Sequence, residues 1–153
     1  MDEERGPLSE KYEQAHKDMI ERVNNLNEFI VTVLKYHVFV EQRMVDLIEA
    51  YGEEAENTFA QKIKQCELLQ APEIDAATFA VLRKANRLRN AVAHNVESDE
   101  VKAAMEEARA AYAALSDQAA DDEKHMTDLQ LSLSCFTHCG TLIMVATDNK
   151  KGE

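Results

Sequence analysis

The sequence predicts an all-α protein, an antiparallel bundle of about five to six helices. The 153 residues include only four glycines and two prolines, whereas a sheet would need many such turn residues. Apolar side chains recur at intervals of three and four residues along most of the chain, which is the spacing of one helix face. The length suits one domain with a sizeable core, so residues 1–153 are expected to form a single unit.

The first predicted helix begins after Pro7, where Ser9 can act as the N-cap. No glycine or proline follows until Gly52, and such a length is unusual for one helix of a globular protein. The asparagines of the stretch VNNLNEF, residues 23–29, make it the best place for a break. A second helix is then expected over residues 28–51, with Gly52 in a left-handed cap.

Four further helices are predicted from the same spacing and from the caps between them. They are expected over residues 53–70, 73–95, 99–120 and 121–147. Pro72 stops the first of these, Asp75 can cap the next, and Ser98 can cap the one after. The ends of the chain, residues 1–7 and 148–153, are expected to be mobile.

The composition narrows the class of protein. The N-terminus MDEERGPLSE is acidic and polar, so no signal peptide is expected, and the apolar run TLIMVA is too short to span a membrane. Three cysteines without an export signal are typical of reduced thiols, so we expect a cytoplasmic protein with no membrane partner. The net charge of −12 discourages non-specific binding to nucleic acid.

Positive charge is nevertheless concentrated in one segment. Residues 80–96 sum to +4, which leaves −16 on the rest of the chain. The four cations of this segment, with no carboxylate among them, are Arg83, Lys84, Arg87 and Arg89. Two interpretations stay open: an anion site restricted to this segment, or a basic helix face balanced by an acidic neighbour through weak surface ion pairs.

The same segment contains Arg89-Asn90-Ala91-Val92-Ala93-His94, in which four residues separate the arginine from the histidine. Asparagine directly follows the arginine, and the small Ala93 directly precedes the histidine. This pattern resembles the Arg-x4–6-His motif of the HEPN superfamily, the higher-eukaryote and prokaryote nucleotide-binding domains. The stretches FAQKIKQCELL and LRKANRLRNAVAHN are similar to the F-x2-KI and LRN-x2-AH patterns of several bacterial HEPN-like proteins. The resemblance covers residues 28–95 and, more loosely, the whole bundle.

The resemblance implies an all-α homodimer in which two motifs form a metal-independent endoribonuclease site. Arg89 would then hold the scissile phosphate, Asn90 would orient it, and His94 would act as acid or base on the ribose 2′-OH or the leaving oxygen. These residue types suit the chemistry, because the arginine fork matches phosphate oxygens and histidine titrates near neutral pH. Neither a metal nor another cofactor is implied.

Helix geometry separates the two motif side chains. Five residues at about 100° each place Arg89 and His94 about 140° apart, with Arg89 beside the buried seam and His94 on the outer side with Asn90. Either the helix is distorted before Asn95 or a second subunit completes the site. As an alternative, Arg89 is a half-buried cation paired with Glu41, and His94 caps helix carbonyls.

Other side chains are candidates to support the motif. His37 and Glu41 lie one turn apart on the second predicted helix and could support Arg89, although a histidine hydrogen-bonded at the edge of the core would give the same pattern. Three cations close to the motif are candidates for RNA or phosphate binding, namely Arg83, Lys84 and Arg87.

The cluster CFTHCG brings together Cys135, His138 and Cys139 near the C-terminus. Zinc would need a fourth ligand, and His125 lies more than two turns away on the same predicted helix. We therefore expect packed thiols and no metal at this cluster.

Two functions follow. The first is a small HEPN ribonuclease, such as the toxin of a toxin–antitoxin pair or a phage-defence component, with RNA as substrate and an antitoxin as protein partner. The second is a non-catalytic, HEPN-like dimeric module that contacts a nucleotide or a regulatory protein. RNA binding normally uses several phosphate contacts and stacking aromatics, so the four local cations and the −16 remainder favour the second.

Overall fold

The computed structural model describes residues 6–95 and 97–153, and its regular structure there is entirely helical. The helices are α1 (Pro7–Ala50), α2 (Phe59–Leu68), α3 (Ala76–His94), α4 (Asp99–Ala113), α5 (Asp117–Glu123) and α6 (Asp128–Lys151). Both the predicted all-α class and the predicted number of helices are confirmed for these described residues. Residues 1–5 and Val96, the last residue of the predicted basic segment, lie outside them.

The first helix is continuous, so the predicted break at residues 23–29 is wrong. α1 runs for 44 residues from Pro7, and its N-cap is Gly6 instead of the predicted Ser9. The asparagines of the predicted break are exposed, so water can satisfy their amides without competition for the helical hydrogen bonds. Each lowers helix propensity by less than about 0.7 kcal/mol, and the packed turns that follow offset this.

α2 corresponds to the helix predicted over residues 53–70, and it starts at Phe59, six residues later than predicted. A capping box sets this start: Thr58 Oγ1 accepts from the backbone N–H of Gln61 at 3.2 Å, and Gln61 Oε1 accepts from that of Thr58 at 3.0 Å. Gln65 also accepts from the backbone N–H of Glu56 at 2.8 Å. Side chains thus satisfy backbone donors before Phe59, and that segment does not need to be helical.

The predicted fifth and sixth helices divide into three. Ser116 caps a separate short helix, α5, soon after α4 ends. A second capping box, formed by Thr127 and Gln130, starts α6 at Asp128, seven residues later than predicted. α6 then continues to Lys151, through the tail that was expected to be frayed.

Three predicted caps are confirmed. The Asp75 carboxylate accepts from the backbone N–H of Thr78 at 2.8 Å at the start of α3. Ser98 Oγ accepts from the backbone N–H of Val101 at 3.3 Å at the start of α4. Gly52 follows α1 with φ of 80°, the left-handed conformation that glycine adopts without a steric penalty.

The core forms around the contact between α1 and α6. These helices approach so closely that a Cβ added at Gly140 of α6 would lie 3.3 Å from Val40 Cγ2 of α1. Helices α2, α3 and α4 close the remaining sides. The largest fully buried side chains are Phe136, Met44, Leu47, Ile48, Ile63, Leu82, Leu88, Leu131, Ile143, Val33, Val40 and Val81.

α6 is the helix that, in the described part of the chain, is long and apolar enough to cross a membrane by length and composition. Of the most apolar stretch of this helix, 44% is buried inside the bundle. It packs there against α1, α3 and α4, so the core accounts for part of its apolar composition.

One arginine joins the last three helices, although no local pattern in the sequence indicates this. Arg109 on α4 donates to carboxylate oxygens of Glu123 at 3.1 Å and Asp128 at 2.7 Å. It also donates to the backbone carbonyls of Glu123 at 3.3 Å and Met126 at 3.0 Å, just where α5 ends and carbonyls lack helical partners. Arg109 therefore holds the turn between α5 and α6 against α4.

We expect Gly140→Leu to lower the free energy of unfolding by about 2 kcal/mol or more, in spite of its better helix propensity. The new side chain has to push α1 and α6 apart. Urea denaturation measures the change, with Thr141→Leu, at the next and exposed position, as the control expected to stay within about 0.5 kcal/mol. Equal losses in both variants would contradict the close approach.

We expect Arg109→Lys to lower the free energy of unfolding by about 1–2 kcal/mol, because an ammonium group cannot reach four acceptors at once. Arg22→Lys is the matched control, since Arg22 makes one exposed contact, with Glu97 at 2.7 Å. That control should change stability by less than about 0.5 kcal/mol. Thermal or urea unfolding of both variants measures the difference. An unchanged free energy of unfolding in Arg109→Lys would show that the turn is stable without the arginine.

Candidate functional site

The motif lies on α3, which is regular to its last residue. Asp75 caps its N-terminus, and its apolar seam packs into the core. The backbone N–H of Asn95 still donates to the carbonyl of Ala91 at 3.0 Å, and only Asn95 turns to an extended conformation. The helix is therefore not distorted before Asn95, and Arg89 and His94 stay about 140° apart around its axis.

Arg89 is half-buried and has no ion pair with any carboxylate among the described residues. Its Nη1 donates to Oδ1 of Asn90 at 3.2 Å, so the first two residues of the motif touch. Its buried Nε has no hydrogen-bond partner in residues 6–95 and 97–153. Glu41, the alternative partner considered from the sequence, binds Lys62 instead. Arg89 is thus held by an amide and keeps its charge available to an anion.

The structure brings together two of the three predicted catalytic residues. Arg89 and Asn90 are in contact, whereas His94 is exposed in the last turn, on the side of α3 that it shares with Asn90 and about 140° from Arg89. A single regular helix cannot aim the side chains of Arg89 and His94 at the same phosphate oxygen. Any site that uses both groups therefore needs a second copy of α3.

The other three cations of α3 are paired with carboxylates of neighbouring helices. Arg83 Nη2 lies 2.9 Å from Glu67 Oε2, on α2. Lys84 Nζ lies 3.9 Å from Glu107 Oε2, on α4, and Arg87 binds the same carboxylate. All of these side chains are at least one-third exposed, so each pair is weak. Because Lys84 and Arg87 share Glu107, the two carboxylates balance half of the local +4 charge.

His37, a predicted supporting residue, is buried between α2 and α3. Its ring stacks on Phe59 at 3.9 Å, and its Nε2 bonds Asn86 Oδ1 on α3 at 3.2 Å. Burial lowers the pKa of His37 below 6.5; the bond to Asn86 opposes this shift, and the Arg89 charge adds to it. The neutral imidazole is therefore a fixed part of the core edge, close to Arg89.

Glu41, the second supporting residue, is also committed to another contact. Its Oε1 accepts from Lys62 Nζ at 3.0 Å, and Lys62 also donates to the backbone carbonyl of Asn57 at 3.0 Å. Lys62 is only 6% exposed, and it is a partner that was not predicted from the sequence. The signal was present in FAQKI, because the spacing of Phe59 and Lys62 places both on the face of α2 that packs on α1.

The thiols of CFTHCG are packed in the core. Burial raises the pKa of Cys135 to about 12 and raises that of Cys139 further. Cys139 Sγ donates to the backbone carbonyl of Thr78 at 3.5 Å, and His138 Nε2 lies 3.4 Å from Thr78 Oγ1. In the described part of the chain, no three histidine, cysteine or acidic side chains form a group that could hold a metal ion.

No family model, curated protein or solved structure matches this chain. The HEPN resemblance of the Arg89–His94 segment therefore stays a prediction. The geometry described above is what bears on function.

We expect the free energy of unfolding to fall as the pH is lowered from about 6.5 towards 5. Burial lowers the pKa of both His37 and His138 in the folded state, so the unfolded chain binds more protons below its own pKa of 6.5. The loss approaches about 1.4 kcal/mol per pH unit for each histidine, and stability should be flat just above pH 7.

Urea denaturation at several pH values measures this slope. His37→Gln should reduce the slope and leave the contribution of His138, whereas His16→Gln, at an exposed position, should leave the profile unchanged. A wild-type profile that is flat between about pH 7 and 5 would contradict the burial of neutral imidazoles.

Proposed function

We propose that this chain is a metal-independent endoribonuclease of the HEPN type that acts as a homodimer, with Arg89, Asn90 and His94 as the reacting groups. One observation carries the proposal. The other cations of α3 are paired with carboxylates, whereas Arg89, in the described part of the chain, is held only by the Asn90 amide. The cation left free to bind an anion is thus the arginine of the motif.

The chemistry uses the nucleophile that RNA carries. His94 takes the proton of the ribose 2′-OH, and the 2′-oxygen forms a bond to phosphorus. The bond from phosphorus to the 5′-oxygen breaks, and this leaving oxygen takes a proton from an imidazolium. Arg89 donates to the phosphate oxygens as negative charge develops on them, with Asn90 fixing its orientation. The products are a 2′,3′-cyclic phosphate and a 5′-hydroxyl.

The dimer supplies what one α3 lacks. Because Arg89 and His94 lie on different sides of a regular helix, a phosphate held by Arg89 of one copy has to meet the imidazole of the other. The second copy also doubles the number of unpaired arginines at the site. Both effects favour a site that forms only where two α3 helices meet.

We expect the purified chain to cleave RNA in the presence of a metal chelator and to leave cyclic phosphate ends. His94→Ala should reduce the rate by about 100-fold or more, since it removes the acid–base group. Arg89→Lys should also reduce it, because an ammonium group cannot bind two phosphate oxygens as a fork does.

His125→Ala is the matched control, since His125 is exposed at the turn between α5 and α6, and it should cleave like the wild type. End-labelled RNA on denaturing gels gives the rates, and circular dichroism shows that each variant is folded. An inactive wild type across a range of RNA substrates would overturn the proposal, as would full activity of His94→Ala.

A second candidate is a non-catalytic dimeric module that binds a nucleotide or a protein. The pairing of Arg83, Lys84 and Arg87 favours it, because few cations remain for successive phosphates of an RNA strand. Such a module would bind a nucleotide without cleaving RNA and would lose that binding in Arg89→Ala. Calorimetric titration with nucleotides, run beside the cleavage assay, separates the two candidates.

A further inference from the structure

The N-terminal part of α1 extends beyond the bundle. From residue 10 to residue 25 every side chain is exposed, although the segment is helical throughout. Some of the exposed side chains are apolar: Tyr12 is 70% exposed and Met19 is 64% exposed. Leu8, just before this range, is 81% exposed. Most helical stability in proteins comes from packing of an apolar face, and the apolar side of this segment is left exposed.

The exposed apolar side is a continuation of the buried one. In the buried half of α1 the seam recurs at three- and four-residue intervals through Val33, His37, Val40, Met44 and Leu47. The same intervals, with one extra residue near Met19, continue towards the N-terminus through Ile30, Leu26, Val23, Met19, Ala15, Tyr12 and Leu8. At about 100° per residue, Leu8, Ala15 and Met19 lie within about 40° of the direction of Val33. This pattern is typical of a helix that packs lengthwise on another helix.

We propose that residues 8–23 of α1 pack antiparallel on the same segment of a second copy, about a two-fold axis near Ala15. Lys11 and Asp18 lie on one edge of the seam, seven residues apart, and both are exposed. In an antiparallel pair of identical helices the same edges face each other, so Lys11 of each copy faces Asp18 of the other.

The same axis matches the apolar side chains. It sets Leu8 opposite Val23 and Tyr12 opposite Met19, and it places the small Ala15 at the centre, where the backbones come closest. The paired segments are about 24 Å long, which is short for a protein–protein interface. We therefore expect a dimer that dissociates on dilution into the micromolar range.

Charge also argues against a membrane surface as the occupant. Residues 7–27 carry three cations and four carboxylates. Helices that lie on anionic lipid carry a polar face rich in lysine and arginine, which this segment lacks. An unrelated protein helix, in turn, would not require opposite charges one heptad apart on a single edge.

This interface differs from the one that joins the motifs in the proposed ribonuclease. Arg22 binds Glu97, just beyond the end of α3, so each α3 ends near the level of residue 22 on α1. With the axis near residue 15, the two α3 ends are about 21 Å apart along the helices. A chain that uses both interfaces forms a tetramer if the two two-fold axes intersect at right angles and a longer open assembly if they do not. A chain that uses this interface alone forms a dimer with separate motifs.

Light scattering of the full chain at high concentration, about 100 µM, tests the proposal through the mass of the particle. Met19→Glu should reduce the mass, to that of a dimer where the motif interface also forms and to that of a monomer where it does not. Lys11→Glu and Asp18→Lys should each weaken the association about tenfold, because each turns two attractive pairs into repulsive ones. The double variant with both changes should restore the wild-type mass, and Lys17→Glu, on the opposite side of the helix, should not alter it.

Cross-linking locates the axis. Ala15→Cys should form a disulfide-bonded dimer on mild oxidation, and Lys17→Cys should not; the native cysteines are buried and do not interfere.

A mass unaffected by Met19→Glu would overturn the interface, and failure of the double variant to recover would overturn the antiparallel arrangement. If the α1 variants instead release a different protein after purification from cells while the chain alone stays monomeric, the occupant is not a second copy. RNA cleavage is measured separately, so loss of one proposal leaves the other standing.

Discussion

The close packing of α1 on α6 is the constraint on which the other positions depend. Gly140 leaves room for Val40, and the large buried side chains of both helices fill the space around this contact. α2 and α3 then pack against the same part of α1, where His37 meets Phe59 and Asn86. The location of Arg89 beside the core edge is therefore a consequence of where α1 lies, and the candidate site inherits its geometry from the helix pair.

The cationic side chains discussed above differ in their burial and in the groups that they bind. Lys62 and Arg109 are largely withdrawn from solvent and join helices through several acceptors each. The outer cations of α3 face carboxylates across exposed gaps, where each pair contributes little. Arg89 belongs to neither kind, since its partner is an amide. That difference, more than the total charge, distinguishes the motif from the rest of α3.

Local patterns predicted the helices well but not all their limits. Asp75 and Ser98 were found because a cap needs only the residues beside it. The two capping boxes at Thr58 and Thr127 are also local, and the T-x-x-Q spacing was a readable signal that the periodicity of the flanking residues obscured. The predicted break in α1 was wrong because helix propensity was weighed without the packed turns that follow the asparagines, which begin to be buried at Val33.

The site was less accessible to sequence reasoning. The four cations and the spacing of Arg89 and His94 are visible in the chain, but their partners Glu67 and Glu107 lie on other helices. No local pattern specifies such pairing, because it depends on how helices pack. For Lys62, the spacing in FAQKI indicates the face of α2 that packs on α1, but Glu41 as its partner depends in the same way on how the two helices pack.

The continuity of α1 also has a mechanical consequence. A helix of 44 residues is about 66 Å long, and after Pro7 at its first position it has no glycine or proline at which to bend. Its exposed end and its buried half are therefore parts of one continuous rod. A partner bound at Tyr12 or Met19 would sit on the same helix that carries His37, and His37 contacts Asn86 of α3. The exposed end of α1 and the helix that holds Arg89 thus share one support.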